Sequence, residues 1–290
     1  MATTVAVLGV GCMGGQVARR LAESVDVVAY DPDAGRLAAL PTAIRRASTI
    51  ADAVAGSDAV VAVLPGAAEQ RSVLPGVVGR LSPGALLIDL TSGDPVTARA
   101  LQAAARTRGA SYVAAPMGGG PSDAAAGSLR LHLGGDDSAV DRAAALLAPL
   151  VSDGGELLRV SEDAGAAMTA KLLVNALWFA QATAVAEALH VGEAAGLPAS
   201  VLRRVLDGSA ADSAFVQDHL DRFLAGDDMT GFGLDRVVEE LDTVAALTGD
   251  EGTVLAASRR AHASALRAGF DGELGGARWA LGGATGAPNS

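Results

Sequence analysis

Short, nearly continuous apolar runs mark the first half of the chain. They fall at residues 5–8, 25–30, 59–64 and 86–90, each bounded by Gly, Pro, Ser, Asp or Thr. Continuous rather than alternating runs are what strands buried on both faces require. Segments of helical character separate them, the first over residues 13–22. This alternation predicts right-handed strand–helix–strand units and a doubly wound parallel sheet. Residues 112–115, 129–133 and 157–160 predict later strands, and residues 136–147 a helix.

Beyond about residue 162 the period changes. Residues 163–195 carry one long Ala- and Leu-rich helical pattern that stops at Gly196-Leu197-Pro198. Further helical patterns follow at 199–206, 215–224, 234–248 and 253–268. The chain therefore reads as an α/β domain over residues 1–161 and an all-helical domain over residues 162–290, joined by the long helix. Residues 172–189 of that helix are apolar enough to suggest a membrane span. They also contain Asn175, Gln181 and Glu187, each costly in lipid, so a buried helix of a soluble protein is expected.

Composition narrows the function. The 290 residues carry 22 basic and 33 acidic side chains, a formal charge of −11. That balance argues against nucleic acid and anionic membrane surfaces as partners. A single cysteine excludes an intrachain disulfide or a cysteine-based zinc site. The histidines at 132, 190, 219 and 262 lack ligand spacing, so no metal is expected. His132 reads as structural in a strand, and His190 as a cation at the end of the long helix. The apolar N-terminal run has no basic segment before it and reads as a first strand, not a signal peptide, which suits a cytoplasmic protein.

Four segments carry candidate chemistry. Gly9-Val10-Gly11-Cys12-Met13-Gly14 follows a strand and opens a helix. Such a turn brings backbone against a dinucleotide diphosphate, whose charge the helix N–H groups stabilise. Cys12 within it reads as a small packing residue. Asp31 lies at the end of the second strand, where a carboxylate accepts ribose hydroxyls and repels a 2′-phosphate. That favours NAD over NADP, and Asp31-Pro32-Asp33 also reads as a helix N-cap. Asp89-Leu90-Thr91-Ser92-Gly93-Asp94-Pro95 ends another strand, and its hydroxyls serve a cofactor or substrate, or else cap a helix. Gly118-Gly119-Gly120 reads equally as an anion cradle or a flexible crossover. Lys171 and Asn175 share one face of the long helix. An ammonium there snorkels to water, pairs with a carboxylate or handles a proton.

Together these segments resemble the β-hydroxyacid dehydrogenase family, the 3-hydroxyisobutyrate and 6-phosphogluconate dehydrogenase-like oxidoreductases. The resemblance spans nearly the whole chain: GVGCMG, DLTSGDP, APMGGGPSDAAAGSLRLHLGG and GAAMTAKLLVNA follow the family's order and spacing. It implies a Rossmann domain, a long interdomain helix, a helical domain that commonly builds a homodimer, and hydride transfer between NAD or NADP and a small alcohol or carbonyl substrate. It assigns Lys171 as catalytic acid–base and Asn175 as its substrate-holding companion. Gly9, Gly11, Cys12, Met13, Gly14, Asp31, Leu64, Pro65 and Thr91 would face the cofactor. Ser92, Gly118, Gly119, Gly120, Phe232 and Glu239 would face the substrate.

The sequence departs from the family pattern at three places. Gly118 stands where the family has a serine, Ala114 where it has an aspartate, and Glu239 in place of a lysine. Losing a hydroxyl and a cation weakens an anion site, and Glu239 would repel a carboxylate. A neutral or cationic substrate is therefore expected in preference to a simple 3-hydroxy carboxylate. Two alternatives follow: an imine or iminium reductase on the same plan, and a non-catalytic cofactor-binding protein.

Overall fold

The computed structural model describes residues 3–225, 233–248 and 253–269. The chain separates into two compact units, Met1–Lys171 and Leu172–Ser290. Phe232 lies outside the described residues.

In the first unit, β1 (Thr4–Leu8), β2 (Asp26–Tyr30), β3 (Arg45–Arg46), β4 (Ala59–Ala62), β5 (Leu86–Asp89) and β6 (Ser111–Ala114) are parallel neighbours in the order β3-β2-β1-β4-β5-β6. β1 thus has β2 on one side and β4 on the other. Chain direction across the sheet reverses there, which opens a crevice at the carboxyl ends of the strands. β7 (Met117–Gly118), β8 (Arg130–Gly134) and β9 (Glu156–Ser161) extend the sheet, with β8 antiparallel to β6 and parallel to β9. Two apolar layers result. Val5, Val7, Val61, Ile88, Leu131 and Leu133 lie in one, and Ala6, Leu8, Val60, Leu87 and Tyr112 in the other.

The connecting helices are α1 (Cys12–Leu21), α2 (Ala34–Ala38), α3 (Ile50–Val54), α4 (Ala67–Val78), α5 (Pro95–Thr107), α6 (Pro121–Ala126) and α7 (Asp137–Leu147). Several were not legible in the pattern. α2 and α3 are five residues each, too short to show a helical period, and α4 contains Pro75 and Gly76. The two-residue strands β3 and β7 exist only through pairing with β2 and β8.

The long helix α8 (Ala164–Ala194) begins in the first unit and continues into the second. Its positions Leu172, Ala176, Phe179, Ala182, Ala186 and Leu189 are buried at helical spacing. They share a core with residues of α10 (Ala214–Ala225), α11 (Leu234–Thr248) and α12 (Val254–Arg267), and α9 (Ala199–Leu206) adds Leu202 and Leu206 at its margin. Leu173, Val174, Leu177 and Val191 are exposed, so α8 is apolar on both sides. By length and composition it is long and apolar enough to cross a membrane. His190 is exposed and does not end the helix, which continues to Ala194.

Candidate active site

The glycine turn is held by contacts that exclude any side chain. Gly9 has φ +87°, and a Cβ there would lie 2.2 Å from the Val63 carbonyl oxygen. A Cβ on Gly14 would lie 2.0 Å from the Gly9 carbonyl oxygen. These close approaches set α1 tightly against the β1 and β4 ends. Gly11 is the N-cap of α1 and has no side chain to bond the first-turn N–H groups. Those donors suit an anion at the helix N-terminus, so the turn fits a dinucleotide diphosphate. Cys12 is exposed at the first position of α1, not packed inside as expected.

Asp31 is 4% exposed. Its Oδ2 accepts from the Val10 N–H at 2.8 Å, and its Oδ1 accepts from the Asp33 N–H at 2.9 Å. The carboxylate therefore ties the end of β2 to the glycine turn. Asp33, not Asp31, caps α2. The half-exposed Arg36 guanidinium lies 3.7 Å from Asp31 Oδ1 and is the basic group at this rim.

A buried polar network supports the loop after β5. Asp89 is fully buried and accepts from Gln70 Nε2 at 2.8 Å, Tyr112 OH at 2.8 Å and the Thr91 N–H at 3.0 Å. Gln70 Oε1 in turn accepts from the Asp94 N–H at 2.7 Å, which fixes the amide's orientation. Burial pushes the Asp89 carboxyl above its ordinary value, while hydrogen bonds from Gln70, Thr91 and Tyr112 pull it back. Burial and the Asp89 charge push the Tyr112 phenol well above its usual value, so it remains a donor. Thr91 Oγ1 accepts from the Leu64 N–H at 3.1 Å, linking the β4 and β5 ends. Gly9, Asp31, Leu64 and Thr91 are thus brought together at one end of the parallel sheet. Thr91 itself is buried and Ser92 only half-buried. Asp94 caps α5, accepting from the Val96 and Thr97 N–H groups.

The glycine segment is more ordered than a flexible crossover. Gly118 pairs with Arg130 in the β7–β8 ladder, and Gly119 has φ +110°. The Gly120 N–H donates to Asp123 Oδ2 at 2.7 Å, so an intrinsic carboxylate already takes that donor. Lys171 is only 7% exposed on α8. One helical turn further on, Asn175 donates through Nδ2 to Glu240 Oε2 at 2.7 Å, and Glu240 is itself buried. Glu239 is ion-paired with Arg236 at 2.8 Å, which offsets the repulsion its charge would otherwise exert on an anion. His219 packs edge-on against Trp178 and close to Phe215, within an aromatic group of the helical unit.

Sequence reasoning did not single out Gln70, Tyr112, Asp123 or Glu240. Gln70 and Tyr112 lie in segments without a motif, whereas Asp123 and Glu240 lie next to motif positions that drew attention to Gly120 and Glu239 instead. The available signal for Tyr112 was a phenol inside an apolar strand, which needs a buried partner.

A family model described as the NAD binding domain of 6-phosphogluconate dehydrogenase matches residues 4–154. A second, described as the NAD-binding domain of NADP-dependent 3-hydroxyisobutyrate dehydrogenase, matches residues 165–276. The chain belongs to the β-hydroxyacid dehydrogenase family. As a β-hydroxyacid dehydrogenase-type protein it is an NAD(P)-dependent oxidoreductase with a Rossmann-like N-terminal domain and a helical C-terminal one. It is 33% identical to the NAD-dependent L-serine dehydrogenase of Pseudomonas aeruginosa over 71% of this chain and 70% of that one. The 3-hydroxyisobutyrate dehydrogenase of Mycobacterium tuberculosis, solved with L-serine, superposes with a TM-score of 0.84 at 27% identity. That likeness covers 97% of this chain and 99% of the other. An imine reductase from Myxococcus stipitatus, solved as a variant with NAD+, gives a TM-score of 0.66 at 23% identity over 97% of this chain and all of that one, a likeness of fold alone.

Proposed function

We propose that this β-hydroxyacid dehydrogenase-type protein oxidises the hydroxymethyl group of a small β-hydroxy acid, with a β-hydroxy-α-amino acid such as L-serine preferred over simple hydroxy carboxylates. The observation that carries the reaction is Lys171, a buried ammonium-bearing side chain on an otherwise apolar stretch of helix. Burial disfavours the charged form of an amine, which suits the neutral form to act as general base for a hydroxyl. Gly9, Gly11, Cys12, Met13 and Gly14 would hold the cofactor diphosphate, with Asp31, Leu64, Pro65 and Thr91 around it. When bound, the nicotinamide supplies the hydride acceptor or donor. Lys171 takes the substrate hydroxyl proton during oxidation and returns one during reduction, and Asn175 orients the substrate.

The acidic surroundings support an amino-acid substrate. Gly118 offers no hydroxyl, and the Asp123 carboxylate already occupies the Gly120 N–H. A substrate ammonium group gains from such a carboxylate where a second anion does not. The relative described as an L-serine dehydrogenase agrees with this choice. The Asp31 carboxylate favours NAD over NADP. The exposed stripe at Leu173, Val174 and Leu177 is surface that a second copy would cover, supporting a homodimer.

Steady-state turnover of L-serine, 3-hydroxyisobutyrate, glycerate, a neutral alcohol and a cyclic imine with each cofactor tests the assignment. L-serine with NAD is expected to give the highest kcat/KM. Preference for the simple acids overturns the amino-acid reading, and preference for the imine overturns the dehydrogenase reading. Lys171→Ala is expected to lower turnover at least about 100-fold while NADH binding, followed by fluorescence, is kept. Near-normal turnover in that variant removes Lys171 from the chemistry.

A further inference from the structure

Gln70 is fully buried in the first turn of α4 and belongs to no motif. It stands between two loops assigned to the cofactor in the proposed site. Leu64-Pro65-Gly66 leads into α4, and Thr91-Ser92-Gly93-Asp94 runs from the end of β5 into α5. The Gln70 Nε2 donates to Asp89 Oδ2 at 2.8 Å, and its Oε1 accepts from the Asp94 N–H at 2.7 Å. One planar amide therefore holds both ends of the second loop. Asp89 Oδ1 accepts from the Thr91 N–H at 3.0 Å, and Thr91 Oγ1 accepts from the Leu64 N–H at 3.1 Å, which closes the circuit back to the first loop.

Two features make this a specific demand on residue 70. The place needs a donor and an acceptor on one rigid group. A glutamine amide supplies both, an aliphatic side chain supplies neither, and a glutamate loses its donor once ionised. The second feature is Gly93. Its φ is not left-handed, so backbone freedom does not account for a glycine there. A Cβ at Gly93 would instead collide with the nitrogen, carbon and oxygen of the Gln70 amide. The loop lacks a side chain where the amide lies against it.

We infer that Gln70 is a positioning residue for cofactor binding, which locks the loop of residues 91–94 to that of residues 64–66 so that Thr91 and Ser92 are in place before NAD or NADP arrives; this rests on the reading of Leu64, Pro65 and Thr91 as cofactor-facing. Gln70 has no exposed surface to offer a ligand and acts through the loop. A loop already held in its binding conformation loses little freedom when the ligand binds, and affinity gains accordingly.

Fluorescence titration of the full chain with NADH and NADPH between pH 6 and 9 tests this, with folding followed by circular dichroism. Gln70→Met keeps the length and loses both hydrogen bonds, and its Kd for the better-bound cofactor is expected to rise about tenfold or more at every pH. Gln70→Glu reproduces the amide's pattern only while protonated, when one oxygen donates to Asp89 and the other accepts from the Asp94 N–H. Tyr112 is the other titratable group facing Asp89, and its phenol stays protonated across this range. The Gln70→Glu protein is therefore expected to bind nearly as the wild type does at pH 6 and to lose affinity as pH rises. An unchanged Kd in Gln70→Met overturns the inference. Equal losses in the two variants at pH 6, or no fall for Gln70→Glu by pH 9, overturn it as well, because packing alone would then be at work. Should Gln70→Met not fold, Gly93→Ala carries the test. It is expected to weaken binding about tenfold by itself but to add little in a Gln70→Ala background, where the methyl group has room, and additive losses overturn the link. If the wild-type protein binds neither cofactor, the cofactor-site reading falls, and this inference with it.

Discussion

Replacing Tyr112 with phenylalanine removes one hydroxyl from a carboxylate that water does not reach. Tyr112 and Asp89 are both fully buried, and the hydroxyl donates at 2.8 Å. Each partner of Asp89 is a donor, so the group they surround is the ionised carboxylate. Phenylalanine keeps the ring and its packing, so the loss is mainly one hydrogen bond to a buried charge, worth about 1.5–3 kcal/mol. For the Met1–Lys171 unit, which holds this network, that corresponds to a fall in Tm of roughly 4–8 °C.

The pH dependence has a definite sign. The folded Asp89 carboxyl lies above its unfolded value, so in the pH window between the two the native state holds a proton that the unfolded chain has already released. Its contribution to stability is fully present at acid pH and falls as pH rises through that window. Without the Tyr112 donor the folded value rises further and the window widens. The stability difference between variant and wild type is therefore smallest at acid pH and grows towards neutrality. Urea denaturation from pH 4 to 8 measures it directly. A loss below about 0.5 kcal/mol at neutral pH, or a difference that shrinks as pH rises, refutes the network as described. Cofactor affinity should weaken as well, because Thr91 and Ser92 leave β5 immediately after Asp89.

Further outcomes follow from the same geometry. Gly14→Ala forces a methyl group onto the Gly9 carbonyl, so it should cost about 1–3 kcal/mol and abolish measurable NADH binding; a stable variant with normal titration would show that the turn has room to spare. Asp31→Asn keeps an acceptor but removes the charge. The ratio of kcat/KM for NADP to that for NAD should rise about tenfold, and an unchanged ratio would transfer cofactor discrimination to another group, with Arg36 the nearest. His262 is buried, with Nδ1 2.8 Å from the Ser258 carbonyl oxygen, and burial lowers its imidazole. Below the unfolded value of about 6.5 the unfolded chain takes up a proton that the native ring refuses, so stability falls as pH drops from there towards the folded value. His262→Asn should flatten that slope between pH 7 and 5, and an unchanged slope assigns it to other groups, His132 among them.

The sequence determined the features that depend on nearest neighbours. Apolar runs between turn residues specified β1, β2, β4, β5 and β6, because a strand buried on both faces leaves a continuous signature. Glycines at positions 9, 11 and 14 specified the turn, because strand-to-helix closure there leaves no space for a Cβ at Gly9 or Gly14. The 31-residue helix α8 and the Lys171 and Asn175 spacing were likewise local properties. Only the tertiary structure decided which polar groups meet. Gln70, Asp89 and Tyr112 are separated by about twenty residues each, and their mutual hydrogen bonds exist because β5 and β6 pair in one register and α4 crosses above them. The Asp31 carboxylate on the Val10 N–H and the Thr91 hydroxyl on the Leu64 N–H arise in the same way. A motif records what a residue is, but a burial penalty or an ion pair depends on what the fold brings to within about 3–4 Å of it.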